Sequence, residues 1–275
     1  MIPGFLIALR EGLEAALIVG LTLGVLAKMD RRDYRSVVWS GVATAVVISL
    51  GVAGLLNLLG TSFEGKAEEV FEGATMIVAA GVLTWMIYWM QSQSRRLQQG
   101  LESDVRLAAE RDQKVGLFGI AFFAVLREGI ETALFLTANA LSTSAQQAFI
   151  GGLIGLVAAG FLGWAIFATT VRLDVRRFFQ VTSVILILFA AGLFAHGIHE
   201  FIEVGWIPAI IDPLWDINPI LSEDSAVGTL LKALFGYNGD PSLSEVLAYI
   251  GYYLLIFLGA RRLSRGRPEW ARVTE

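Results

Sequence analysis

Two stretches of this chain, 37–59 and 148–171, contain no charged residue, and each is long enough to cross a bilayer as a helix, which takes about 20 residues. No other feature narrows the fold as far. A helix at the surface of a soluble domain shows water a polar face, and an uninterrupted apolar run has none to show. The rest of the chain has the same character: 55% of its residues are hydrophobic and 17% are charged. Soluble domains carry roughly 25% charge.

Seven segments are predicted to span: 4–27, 37–59, 70–90, 116–138, 148–171, 179–201 and 246–262. No stretch between them is long enough for a separate soluble domain, so residues 1–275 read as a single integral-membrane domain and an all-α, polytopic fold. The opening Met1-Ile2-Pro3-Gly4 has no basic run, and Arg10, Glu11 and Glu14 interrupt the apolar stretch that follows. It is read as an uncleaved first span and not as a signal peptide. The chain contains no cysteine, which excludes disulfides, thiolate metal sites, iron–sulfur clusters and cysteine nucleophiles.

Loop charge sets the expected orientation. Lys28, Arg31, Arg32 and Arg35 follow the first span, and Arg95, Arg96, Arg106, Arg111 and Lys114 follow the third. Arg172, Arg176 and Arg177 follow the fifth, and Arg261, Arg262, Arg265, Arg267 and Arg272 lie in the tail. That places 17 of the 21 Lys and Arg residues on one side, which is the cytoplasmic side for basic loops. The N-terminus is therefore expected outside and the C-terminus inside. The outer loop at 204–242 holds four of the six prolines and the acidic residues Asp212, Asp216, Glu223, Asp224 and Asp240. It is expected to be a folded cap and not a free linker.

Charges inside a span are expensive, about 2.5–3.5 kcal/mol each on insertion scales, so they mark function. The first span reads Arg10-Glu11-Gly12-Leu13-Glu14 and the fourth reads Arg127-Glu128-Gly129-Ile130-Glu131, 117 positions later. By the alternation of spans these two cross in opposite directions. Three spans headed by the motif are followed by three more headed by it. This is the layout of an inverted 3+3 repeat, about 4–90 and 116–201, with the seventh span added. On a helix Glu11 and Glu14 share a side, and Arg10 stands one turn before Glu14 and can pair with it. Arg127, Glu128 and Glu131 repeat the arrangement. Gly12 and Gly129 are expected to let the two motif helices approach closely. Four carboxylates and two guanidiniums leave a local charge of −2, suited to a hard cation with oxygen ligands. The plainer alternative is a pair of salt bridges that lock helices together.

A second cluster closes the sixth span, where His196, His199, Glu200 and Glu203 fall on one helical stripe. The third span opens with Glu68, Glu69 and Glu72 at the same outer face. Glu69, Glu72, His199 and Glu203 are taken as candidate metal ligands of an external mouth. Glu68 and Glu69 also suit a helix start through the dipole, and His196 also suits a hydrogen-bonded core residue. Trp85, Tyr88 and Trp89 read as belt residues at the inner interface.

With these residues in view the sequence resembles the oxidase-dependent iron permeases, bacterial ferrous iron permeases and the fungal high-affinity permease among them. The resemblance rests on Leu-Arg-Glu-Gly-Leu-Glu-Ala-Ala-Leu at 9–17, Glu-Glu-Val-Phe-Glu-Gly at 68–73 and Leu-Thr-Trp-Met at 83–86. It rests equally on Arg-Glu-Gly-Ile-Glu at 127–131 and Gly-Thr-Leu-Leu-Lys-Ala-Leu-Phe-Gly-Tyr at 228–237. It implies a seven-span permease that imports iron ions across the bacterial cytoplasmic (inner) membrane. Glu11, Glu14, Glu128 and Glu131 would bind the ion, with Arg10 and Arg127 supporting them. It implies two partners, a periplasmic cupredoxin-like protein and a haem peroxidase. His196 and His199 fall outside the family's pattern.

The expectation is therefore a transporter and not an enzyme, with iron as substrate, no tightly bound cofactor, lipid around it and no nucleic-acid partner. The alternatives are a carrier of another cation such as Mn²⁺, or an intramembrane di-iron metalloenzyme. Against the enzyme, the Glu-x-x-His pattern of di-iron bundles is absent from the sequence.

Overall fold

The computed structural model describes residues 1–168, 174–223 and 225–265. Arg172, Arg267, Arg272, Asp224 and the last three residues of the fifth predicted span lie outside the described residues. The described chain forms eight α-helices and one short 3-10 turn, at Arg32–Tyr34. The helices are α1 (Ile2–Lys28), α2 (Arg35–Ser62), α3 (Lys66–Glu110), α4 (Lys114–Ser142), α5 (Ala145–Ala168), α6 (Val175–Glu203), α7 (Ala226–Phe235) and α8 (Leu243–Arg265).

Local chemistry sets several of the ends. Pro3 sits in the first turn of α1, where a missing N–H leaves no bond unmade. α1 and α3 end the same way, each with an aspartate in the left-handed region, Asp30 at φ 57° and Asp112 at φ 58°. The Arg31 N–H returns to the Leu26 carbonyl and the Gln113 N–H to the Ala108 carbonyl, both at 2.9 Å, which occupies carbonyls the helix itself cannot use.

Five helical segments are long and apolar enough to cross a membrane, within α2, α3, α5, α6 and α8. α1 and α4, with 27 and 29 residues, are long enough as well, and each carries three motif charges. Large apolar side chains are exposed along α2 (Val47, Leu50, Leu58), α5 (Phe149, Val157, Phe161) and α8 (Leu254, Leu255). Such faces suit lipid and not water.

α1 packs mainly against α5, α2 against α4, and α3 against α6, while α1 also lies against α4. The contacts fix the directions. Met1 and Phe5 meet Gly151 and Gly155, and Gly41 and Ser49 meet Phe118 and Gly129, so α1/α5 and α2/α4 are parallel pairs. Lys66 reaches the Val204 carbonyl, which makes α3 and α6 antiparallel. Gly4 meets Asn139 while Glu11 meets Glu128, so α1 and α4 are antiparallel. The ends of α4 and α6 share a cavity at Ser142 and His196. Thr84 and Tyr88 meet Tyr252 and Ile256, so α8 runs with α3 and successive long helices alternate in direction. Small residues permit the two parallel contacts. On α5, Gly151, Gly155, Ala159 and Gly163 recur every fourth residue, and a Cβ at Gly155 would stand 2.5 Å from the Phe5 carbonyl oxygen. Gly41, Ala45 and Ser49 form the matching stripe on α2.

Two expectations are corrected. The basic segment after the third span is no loop, because α3 continues unbroken for 45 residues, roughly 68 Å at 1.5 Å per residue. Its far end is held by burying Val105, Ala108 and Ala109 among Val25, Leu26, Tyr34, Val38 and Leu117. Gly12 and Gly129, in turn, do not face each other across α1 and α4. Gly12 faces Ala159 of α5, and Gly129 faces Ser49 of α2.

The segment at 204–242 is folded. The Ser225 hydroxyl accepts from the Gly228 N–H at 2.9 Å and caps α7. Gly236, at φ 67°, lies directly against Gly192 of α6, where any side chain would collide. Lys232 pairs with Glu223 at 2.8 Å, and Glu223 also accepts from the Gly239 N–H at 2.7 Å.

Candidate metal centre

The two motifs meet where α1 crosses α4. Glu11, Glu128 and Glu131 each offer an oxygen, and these atoms lie within 4.8 Å of one another. Among the described residues this is the one set of three potential ligands that converges so closely. All three side chains are buried, with relative exposures of 0%, 2% and 7%. One oxygen of each, Oε2, has no hydrogen-bond partner. Buried carboxylate oxygens without donors are costly unless a cation meets them.

The arginines hold the other oxygens, and they do so unequally. Arg10 is fully buried and donates from Nη1 to Glu11 Oε1 at 2.7 Å and to the Met86 sulfur at 3.0 Å. Its Nη2 pairs with Glu14 Oε1 at 3.0 Å. Arg127 is 40% exposed; it hydrogen-bonds Glu128 closely but stands 3.6 Å from Glu131. Its guanidinium lies over the Trp89 ring at 5.0 Å. Glu14, expected within the same ligand set, is tied to Arg10 and is not one of the three whose oxygens converge. Trp89 and Met86 are contacts the sequence reading missed. Trp89 was read as a belt residue, whereas the structure also sets its ring against a motif arginine. Their signal was the stretch around 83–89, one face of which had to meet the charged helices.

Where α3 begins and α6 ends, the two helices pack with Gly73 against Gly197 and Glu200. Glu69 and Glu72 come within electrostatic reach of Glu200. The four mouth candidates do not form one converging set. Glu203 stands 3.8 Å from His199 Nε2, and His196 Nε2 stands 3.9 Å from Glu200. His199 Nδ1 is 3.0 Å from Glu245, a residue the sequence reading passed over. Glu245 is buried at the start of α8 and accepts from Asn238 Nδ2, the Ser242 hydroxyl and the Ser242 N–H. Ser242-x-x-Glu245 is a capping box, so its place at a helix start was readable, but its meeting with His199 was not.

The profile of the Iron permease FTR1 family matches residues 1–264. The ferrous iron permease EfeU of Yersinia pestis is 39% identical over 267 residues, 95% of either chain. That of Escherichia coli O6:H1 is 38% identical over 256 residues, 92% of this chain and 93% of its own. No solved structure matches. With two carboxylate motifs converging as described and a match that runs nearly end to end, the chain belongs to the iron permease FTR1 family.

Proposed function

We propose that this protein imports iron ions across the bacterial cytoplasmic membrane, and that Glu11, Glu128 and Glu131 form the ion site at the crossing of α1 and α4. The observation that carries the reading is the convergence of three buried carboxylates from two helices, each with one oxygen lacking a donor. A salt-bridge lock would satisfy its own oxygens. With all four carboxylates ionised against two guanidiniums, the formal charge of the two motifs is −2. Oxygen-only ligands suit a hard cation. Arg10 braces Glu11 and Glu14 on one side, and Arg127 braces Glu128 on the other. The relatives named as ferrous iron permeases support iron as the cargo.

The proposal includes seven spans, α1–α6 and α8, with the N-terminus outside and the C-terminus inside. Support comes from the alternating directions and from the clustering of basic residues at one set of helix ends. It also includes an inverted repeat relating α1–α3 to α4–α6. Exchanging the halves turns the α1/α5 contact into α4/α2 and maps α3/α6 and α1/α4 onto themselves, and these are pairs that pack together. Glu69, Glu72, His199 and Glu203 would concentrate cations at the outer mouth. A periplasmic cupredoxin-like protein and a haem peroxidase would deliver the iron. The protein moves its substrate without converting it and is not an enzyme.

The test is uptake of radioactive iron into proteoliposomes, comparing Fe²⁺, Fe³⁺ and Mn²⁺ with and without a proton gradient. Glu131→Gln and Glu128→Gln keep side-chain size and should abolish uptake in protein that still inserts and folds. Near-normal uptake in both variants would return the motif to a structural lock.

A further inference from the structure

One buried polar group has no role in the carboxylate site. Asn139 of α4 is completely buried, and neither Nδ2 nor Oδ1 has a hydrogen-bond partner among the described residues. A buried amide left unsatisfied costs about 1–3 kcal/mol, and an apolar side chain of the same size would avoid that cost. The position is therefore informative.

Glu128, Glu131, Phe135 and Asn139 follow one another at helical spacing along one stripe of α4, and that stripe faces α1. Glu128 and Glu131 meet Glu11, Phe135 packs in the same core as Ile7, and Asn139 lies opposite Gly4. A Cβ at Gly4 would stand 3.3 Å from Asn139 Nδ2 and 2.8 Å from the Ala148 carbonyl oxygen. The missing side chain at Gly4 leaves the amide its place where α1, α4 and α5 meet. Eight residues separate Asn139 from Glu131, about 12 Å along the helix toward its outer end. Between them Ile7 and Phe135, both completely buried, close the way. One turn further out Ser142 borders a cavity of about 10 Å³, room for one water, which His196 of α6 also lines. Lys232 reaches the same cavity with its ammonium held by Glu223 at 2.8 Å.

We propose that the Asn139 carboxamide is a second cation station, on the path from the outer face to the carboxylates. Its Oδ1 replaces one water of a partly hydrated metal cation, and the ion then passes the Ile7–Phe135 closure to reach Glu11, Glu128 and Glu131. The inference rests on the reading of those carboxylates as the ion site. A neutral oxygen suits a waypoint, because conduction needs binding strong enough to admit the ion and weak enough to release it.

The experiment measures initial iron uptake into proteoliposomes for the natural protein, Asn139→Leu, Asn139→Asp and Glu131→Gln, with unfolding temperatures in detergent. Leucine keeps the branched shape and the number of heavy atoms and removes both polar atoms, so Asn139→Leu should unfold at the same or a higher temperature. Its uptake should nevertheless fall about ten-fold or more, the factor given by a barrier raised by about 1.4 kcal/mol. Asn139→Asp, which puts a charged oxygen where release needs a neutral one, should also lower uptake, most of all at saturating iron. Should Asn139→Leu not accumulate, Asn139→Val, which is smaller and equally apolar, is read in the same way. Full uptake by the apolar variant with Glu131→Gln inactive overturns the station and leaves the carboxylate site standing. Loss of uptake together with a lowered unfolding temperature assigns the amide to packing and also overturns it. Full uptake by Glu131→Gln removes the carboxylate reading, and the station with it.

Discussion

Arg10 and Arg127 occupy equivalent places in the two motifs, but lysine should be tolerated very differently at each. Arg10 is completely buried and engages three partners from one planar group: it donates to Glu11 at 2.7 Å and to the Met86 sulfur at 3.0 Å, and it forms an ion pair with Glu14 at 3.0 Å. A lysine ammonium keeps the charge but is a single point on a flexible stem, and it cannot hold two carboxylates in that geometry. Arg10→Lys therefore loses at least one buried charge-assisted bond, roughly 1.5–3 kcal/mol. At position 127 the side chain is 40% exposed and the contact to Glu131 is already 3.6 Å, so solvent replaces much of what arginine gives. The loss there should be about 0–1 kcal/mol. At roughly 2–4 °C per kcal/mol for a chain of this length, Arg10→Lys should unfold about 3–12 °C lower and Arg127→Lys no more than about 4 °C lower. Unfolding of the purified variants in detergent, followed by tryptophan fluorescence, measures both. Equal shifts at the two positions, or a larger one at 127, would refute the argument that burial and the shared guanidinium decide the difference.

Three further outcomes follow from the packing, the orientation and the cap. Gly155→Leu forces a side chain onto the Phe5 carbonyl, where a Cβ alone would stand at 2.5 Å, and should cost about 1–3 kcal/mol or more by separating α1 from α5. Gly54→Ala, with nothing within 4 Å, should cost nothing in the same unfolding assay and gain up to about 1 kcal/mol through helix propensity. A reporter fused to the C-terminus should score as cytoplasmic and one inserted near residue 143 as external; a protease-accessible C-terminus in intact cells would sink the seven-span topology. In the cap at 204–242, burial alone would raise the Glu223 carboxyl, but the Lys232 ammonium and the Gly239 N–H hold it below its ordinary value. Its contribution is present above the unfolded value of about 4.3 and is lost as pH falls through the lower folded value. Amide protection across 225–239, taken relative to the intrinsic exchange rate at each pH, should fall in acid, and Glu223→Gln should remove that step.

The features that were legible in the sequence are those that one helix carries alone. The apolar runs, the doubled Arg-Glu-Gly-x-Glu and the facing of Glu11 with Glu14 follow from spacing along a single segment. The rest depended on which helices meet. Gly12 and Gly129 look like a shared α1–α4 contact because both lie in the motifs, yet each packs on a parallel neighbour whose own small residues are in plain view, at 151, 155, 159 and 163 on α5 and at 41, 45 and 49 on α2. The length of α3 was hidden because its second half is polar, and charge density was read as a loop. Met86, Trp89 and Glu245 reach their charged partners across 76, 38 and 46 residues, and no local period connects such pairs. The inequality of Arg10 and Arg127 had the same cause: identical neighbours in sequence, different burial in space.

The most direct measurement is the position of a bound metal ion in the iron-loaded protein, located by anomalous X-ray scattering at the iron edge. The account predicts one dominant peak between α1 and α4, coordinated by Glu11, Glu128 and Glu131, that disappears in Glu128→Gln. A dominant peak at His199 and Glu203, with none between the two motifs, would contradict it.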